Sequence, residues 1–500
     1  MLFRSIKYGE KLNADGTLDQ RELARFIRSG STQTDRYILK GEDTESWSPH
    51  FVYHGFQYAE ISGYPGELTA DKINAEELHT NLATAGEFSC SNPLLNQLQA
   101  AMRRTFLSNY HSYPTDCPHR EKLGWTGDAQ LMEETALFNF DMARSYLKWL
   151  DDYTDEQKEN GQIPGIIPGS GWGYTYGNDP NTRERGYGPQ WEGAYITIPW
   201  NLYLYTGDTG IIKKYYPGLK RYVDYLADHS KNNLLDFGID DHKFFITPTD
   251  PPIISSSYYY QLTILLSQMA RIVNNRKDAE KYKTLAEKIK EAYNNKYFKK
   301  PIYGNGGQTS TGLSLYHGLA KVEDKTSILN NLLDSLQAHH WHFDAGVLGV
   351  KAVTNVLIEN KRANELYTMI ASKDFPSFGN WISQGATTLW QDWKGERSLN
   401  HIMFGSFADF FHKALAGINP DPLQPGFKHI LLSPQFVKDL QWVKAKHHSP
   451  YGWIISEWDR ENNKIIYTCT IPANTTATIT NASGEKIKLG SGTHRIEYAE

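Results

Sequence analysis

Between about residue 85 and residue 417 the chain repeats one pattern, with apolar residues three and four positions apart in stretches that close on Gly, Pro or Asn. The first stretch, NPLLNQLQAAMRRTFLSNY, follows a Ser-Asn start. Others cover roughly 130–150, 190–206, 212–229, 257–274, 277–296, 310–320, 325–338, 346–358, 362–372 and 402–416. About a dozen helices in one run favour helices paired with helices over a βα alternation. The expected fold class is therefore mainly α. The flanks read differently. LFRSIKY, DRYILK and FVYHGFQYAEISG alternate as strands and are broken by NADG and GYPG. After NPDPLQPG the runs HILLSP, QWVKAKHHS, GWIISEWDR, KIIYTCTI, TATITNA and THRIEYA return to the strand pattern. The expected organisation is an N-terminal β-domain over 1–72, too few strands for a sandwich, a helical domain over 73–417, and a small C-terminal β-sandwich domain over 418–500.

At 500 residues the chain is long enough for two to four cores. A net charge of −5 argues against nucleic acid, which requires a basic surface. No apolar run is long enough to span a membrane, and MLFRSIKYGEKLNADGTLDQ has no leader-type apolar segment. The expectation is a water-soluble chain, cytoplasmic or periplasmic, and the opening reads as the middle of a β-domain, as in a piece of a longer protein. Cys90, Cys117 and Cys469 have neither zinc-site spacing nor a disulfide framework. No metal and no cofactor is expected.

The loops carry the unusual residues. TDCPHREKLGWTGD places Asp116, Arg120, Glu121 and Asp128 within thirteen positions, together with Trp125 and two glycines. Pro118, Gly124 and Gly127 make this a shaped loop. Cleaving a glycosidic bond requires one carboxylic acid to protonate the leaving oxygen and a second group to activate water or attack. Clustered carboxyls raise one another's pKa, which keeps a proton available near neutrality. The alternative is that Asp128 simply serves a helix N-terminus, where an acid is favourable in any protein.

DCPHREKLGWTGD closely resembles the acid-bearing loop of bacterial α-L-rhamnosidases of glycoside hydrolase family 78. FVYHGFQYAEISGYPG is similar to the end of that family's β-sandwich, GPQWEGAYITIPWNLYLYTGD to a second active-site loop, and QGATTLWQDW with SLNHIMFGSFADFFHKALAGI to its late catalytic segment. The resemblance covers nearly the whole chain. It implies an (α/α)6 barrel, in agreement with the dozen helices, and release of terminal α-L-rhamnose with inversion. By position it makes Glu121 the general acid, Asp116 and Asp128 the holders of the sugar hydroxyls, Arg120 and Trp125 the residues that shape the pocket, and His401 a rhamnose contact. Trp191 and Asp241 are further substrate-binding candidates, and Trp390 is either core or pocket wall. Trp172, in a Gly-rich loop, is a further stacking candidate.

One departure stands out. The family's general base is a Glu after the Trp of QGATTLWQDW, and here that position is Gln391, a neutral amide that cannot take a proton from water. Asp392 and Glu396 are close by in sequence. Two loops also differ: Trp191-Glu192-Gly193-Ala194 lacks an Asp, and Asp240-Asp241-His242 has His where Trp is usual. The expected activity is an exo-acting rhamnosidase on plant glycans or glycosides. A rhamnosyl-uronate lyase using Arg183 and Arg185 as cations, or an impaired rhamnose-binding homologue, is the alternative. The expected partner is a rhamnose-containing carbohydrate, with no nucleic acid and no membrane. A homodimer is compatible with the sequence.

Overall fold

The computed structural model describes residues 3–24, 31–41, 43–169, 171–480 and 485–499. Among them, helices form two concentric rings. The inner ring runs through Thr126–Asn139, Ala194–Thr206, Pro251–Ile272, Gln308–Tyr316, Val347–Glu359 and a final 3-10 and π-helical stretch, Gly405–Ala408 and Phe410–Leu415, which packs back on Thr126–Asn139 and closes the circle. An outer helix follows or precedes each of them: Ala143–Glu156, Thr209–Asp228, Arg276–Tyr297, Lys325–Ala338, Ala363–Ala371 and Pro93–Ser108. This is the (α/α)6 barrel.

Burial explains which helix goes where. Helix Val347–Glu359 is buried at every position from Val347 to Ile358, so it must be surrounded. Helix Ala143–Glu156 buries only Tyr146, Trp149, Leu150 and Tyr153, a single stripe at helical spacing, and so lies outside with its polar face in water. Each inner helix is separated from the next by an outer return. The inner helices therefore run in the same direction, and the loops leading into them collect at one end of the ring.

The N-terminal segment forms a three-stranded antiparallel sheet in the order Thr34–Ile38, Phe3–Gly9, Tyr58–Ser62. At the other end, two sheets face each other. One pairs Ile418–Pro420, His429–Leu432, Thr476–Thr480 and Lys486–Leu489. The other joins Trp442–Ser449, Gly452–Glu461, Lys464–Ile471 and Gly492–Ala499 and takes its edge strand, Gly86–Cys90, from the segment just before the first outer helix. That strand falls within the 73–417 helical domain of the sequence reading, so the sheet there crosses the expected boundary. Its alternation of buried Gly86, Phe88 and Cys90 with exposed Glu87 is a strand pattern too short to stand out beside the helix that follows. The run TATITNA extends to Asn481 and Ala482, outside the described residues. No described helix is long and apolar enough to cross a membrane.

Candidate active site

The 116–128 loop is closed on itself. Asp116 N–H donates to the Leu123 carbonyl at 3.1 Å, and Leu123 N–H donates back to Asp116 Oδ1 at 2.9 Å. Glycines set the fit of its second half. A Cβ at Gly124 would come 1.9 Å from the Ile167 carbonyl oxygen, and one at Gly127 would come 2.2 Å from the Trp191 indole. The loop runs directly into the inner helix Thr126–Asn139, whose N-terminus has no side-chain cap. Asp128 sits in the first turn but leaves Oδ1 without a hydrogen-bond partner, which argues against the simple capping role.

Glu121 is held from both sides. Arg120 Nη2 donates to Oε1 at 2.9 Å and Trp125 Nε1 donates to Oε2 at 2.9 Å. Its side chain keeps 17% of its surface accessible, against 2% for Asp116 and 5% for Asp128, so Glu121 is the acid an incoming molecule meets. Arg120 Nη2 also donates to Gln391 Oε1 at 3.0 Å, which brings the two ends of the expected acid–base pair onto one guanidinium across 271 residues. Gln391 Oε1 further accepts from Ser398 N–H at 3.3 Å.

His401 completes the floor. Its Nδ1 lies 3.4 Å from Asp128 Oδ1 and its Nε2 lies 3.8 Å from Asp116 Oδ2. Burial, with Arg120 and His242 nearby, pushes its pKa well below the usual value, so the ring is neutral. Burial, reinforced by Glu121, raises Asp116 to about 7, and burial with Asp116 and Glu121 raises Asp128 well above the carboxylate range. Asp116 Oδ2, Asp128 Oδ1 and His401 Nδ1 are all buried without a protein hydrogen-bond partner. Native proteins rarely leave such atoms unpaired, and three side by side suit the hydroxyls of a ligand. Trp125 forms one wall, edge-on to Tyr187 at 5.1 Å, with Tyr176 tilted against Tyr187 at 4.8 Å. Trp125 also bridges to Ile166, next to the loop carrying Trp172, which is 49% exposed.

Other expected residues stand elsewhere. Asp241 is fully buried, and both its oxygens are occupied. Oδ2 accepts from Thr309 Oγ1 at 2.5 Å and Gly346 N–H at 2.7 Å, while Oδ1 accepts from Leu348 and Gly349 N–H at 2.9 and 3.3 Å. It anchors the start of an inner helix, and we correct its expected sugar contact to that role. Trp390 is likewise a packing residue. Its six-membered ring lies where a Gly395 Cβ would come 2.6 Å away, and it tilts on Trp381 at 5.8 Å. Trp191 is 3% exposed and packed under Gly127, with Nε1 lacking a protein acceptor. Asp392 cannot stand in for the missing base, because its carboxylate accepts from the N–H groups of Lys394, Glu396 and Arg397 and closes a turn. Arg183 and Arg185, the cations of the lyase reading, pair with Glu184 and Asp236. Cys117 is buried with its thiol pKa raised well up by burial; it accepts from Glu121 N–H at 3.5 Å and is no nucleophile.

His242 stands where Trp is usual in the matching loop. It lies near Arg120 and His401, half-buried, and burial drives its pKa down to about 4. The sequence reading missed Tyr187, His119 and Glu10. Tyr187 sits in a Gly-rich aromatic loop, GYG, a usable signal, whereas Glu10 has none in its own segment. Among the described residues no cluster of three His, Cys, Asp or Glu side chains is placed to hold a metal ion.

Fold and site together define a six-hairpin helical barrel with a cluster of acids on the loop that enters its first inner helix. Residues 83–415 match the bacterial alpha-L-rhamnosidase 6 hairpin glycosidase domain, 417–494 the bacterial alpha-L-rhamnosidase C-terminal domain and 5–79 the bacterial alpha-L-rhamnosidase concanavalin-like domain. The chain belongs to the bacterial α-L-rhamnosidase family. It is 31% identical over 487 residues to an alpha-L-rhamnosidase of Formosa agariphila, covering 90% of this chain and 50% of that protein. Among solved structures, the alpha-L-rhamnosidase from Dictyoglumus thermophilum superposes with a TM-score of 0.91 at 33% identity, over 100% of this chain and 59% of that one. The Streptomyces avermitilis alpha-L-rhamnosidase complexed with L-rhamnose gives 0.91 at 27%, over 99% and 50%. The chain spans about half the length of the curated relatives it matches.

Proposed function

We propose that the chain hydrolyses terminal α-L-rhamnosides by an inverting mechanism, with Glu121 as general acid and Asp116, Asp128 and His401 binding the sugar hydroxyls. The observation that carries this reading is the Glu121 carboxyl. It is positioned by Arg120 and Trp125 and is the most accessible of three acids, beside three buried polar atoms that make no protein hydrogen bond. In that geometry Glu121 gives its proton to the glycosidic oxygen while water enters from the opposite face of the sugar and loses its own proton to solvent, since the Gln391 amide cannot take it. Trp125 serves twice, as apolar wall and as the donor that fixes Oε2. The test is release of 4-nitrophenol from 4-nitrophenyl α-L-rhamnopyranoside, with Glu121→Gln expected to lose about 10²- to 10⁴-fold in kcat while still binding L-rhamnose. Absence of turnover on any rhamnoside by the parent protein would overturn it.

A second reading is favoured by one observation. Gln391 occupies the position facing the acid, and its oxygen is bonded by Arg120 and Ser398. On this reading the pocket binds rhamnose and turns it over slowly, because no carboxylate at that position activates water.

A further inference from the structure

The N-terminal sheet domain and the catalytic loop touch at an unusual place. Glu10, just beyond the strand Phe3–Gly9, is buried at the far side of the Gln391 segment. Its Oε2 accepts from Leu399 N–H at 2.7 Å and lies 3.4 Å from His119 Nε2. Its Oε1 accepts from Ser398 Oγ at 3.5 Å, and Ser398 Oγ lies 3.5 Å from His119 Nδ1. From there the contacts run inward without a gap. Ser398 and Gln391 exchange backbone and side-chain hydrogen bonds at 2.9 and 3.3 Å, and Gln391 meets the guanidinium that holds Glu121. The neighbouring Lys11 donates to the carbonyls of Gly395 and Glu396 at 2.6 and 3.0 Å, and Arg397 pairs with Glu22. The same domain also grips the acid's own loop. Lys122 Nζ donates to the Tyr53 carbonyl at 2.5 Å, and a Cβ at Gly55 would come 2.6 Å from Pro118.

We propose that Glu10 is a positioning residue of the active site. It ties residues 398–399 and His119 to the N-terminal sheet and thereby sets the Gln391–Arg120–Glu121 line. The sheet domain is then a working part of the catalytic centre rather than an appendage. A buried carboxylate accepting a backbone N–H is a strong, directional tie, and its loss leaves that N–H without a partner in a dry place. Glu10 faces Lys11, Arg120, His119, Ser398 and Leu399, and burial raises its pKa to about 7.

The kinetic arm of the test rests on the hydrolase reading, so a second arm does not depend on turnover. Amide hydrogen exchange of residues 391–400 in the full chain is compared among the parent, Glu10→Gln and Glu10→Ala. Exchange of Leu399 and its neighbours is expected to rise about tenfold or more in Glu10→Ala, the loss of roughly one hydrogen bond, and less in the isosteric Glu10→Gln. In the kinetic arm, an alkyl rhamnoside, which needs full protonation of its leaving group, is expected to lose about tenfold more kcat than the 4-nitrophenyl substrate, with KM little changed. A merely structural role would slow both substrates equally. Unchanged exchange over 391–400 in Glu10→Ala overturns the proposal, and so does an equal loss on both substrates in a folded Glu10→Gln protein. An inactive parent would sink the hydrolase reading alone and leave the exchange arm to decide on Glu10.

Discussion

Replacing Gln391 by Glu asks the most direct question of this site. The near oxygens of residues 121 and 391 bond the same Arg120 nitrogen, at 2.9 and 3.0 Å, and so lie no more than about 6 Å apart. A second carboxylate there keeps both hydrogen bonds that the amide oxygen now accepts, from Arg120 and Ser398. It adds a like charge opposite Glu121. At that separation and an effective dielectric near 20 the repulsion is about 2–3 kcal/mol, which the Arg120 guanidinium bonded to both groups offsets. One carboxyl then donates while the other accepts, which is the division of labour hydrolysis requires. A general base contributes about 10²- to 10⁴-fold, so kcat on 4-nitrophenyl α-L-rhamnopyranoside should rise by that factor in Gln391→Glu. The pH dependence should change as well. The variant should lose rate as pH falls and the added base gains a proton, a limb that the neutral amide of the parent does not give. The inner separation is shorter than the roughly 6.5–9.5 Å usual for inversion, so the anomer first released is read by proton NMR in the same experiment. A variant that folds, binds L-rhamnose as the parent does and gains less than about threefold would refute the reasoning, because a pocket lacking only its base must respond to one.

Further outcomes follow from neighbouring residues. His401→Ala removes the neutral ring between Asp116 and Asp128, and L-rhamnose binding by calorimetry should weaken about 10- to 100-fold; unchanged affinity would place the sugar elsewhere. Gly127→Ala drives a Cβ into the Trp191 indole and should cost about 1–3 kcal/mol in urea unfolding, a cost that a shift under 0.5 kcal/mol would contradict. Burial lifts Glu192 from 4.5 to about 8, so its contribution is fully present below the unfolded value and is lost as pH rises toward 8. Glu192→Gln should therefore flatten the fall in melting temperature between about pH 4.5 and 8, and an unaltered slope would assign that fall to other groups.

Much of this was legible in the sequence because it is local. The helices announced themselves by spacing, and the 116–128 loop holds its acid, its Arg and its Trp within one short span, so their mutual bonds could be anticipated. Gln391 was legible as a substitution, though not the Arg120 contact that joins it to Glu121. What escaped depends on distant partners. Glu10 meets Leu399 across 389 residues, and no pattern in the segment around it marks it. Asp241 looked like a sugar ligand because an acid in a matching loop does; only the fold reveals the helix start that uses both its oxygens. Apolar spacing foretold a helix over 402–416 but could not separate an α-helix from the tighter and wider turns that occur there.

The strand Gly86–Cys90 has a consequence for biosynthesis. Cys90 pairs with Val443, which leaves the ribosome about 350 residues later, a wait of roughly 20 to 70 s at 5–20 residues per second. Through that interval five residues with strand character have no strand partner, though the helix Pro93–Ser108 that follows already packs on them, and the outward charge of Glu87 guards against a wrong pairing. Everything between must be made before the strand meets its sheet, so that sheet is completed only after the helices of the ring have all been translated.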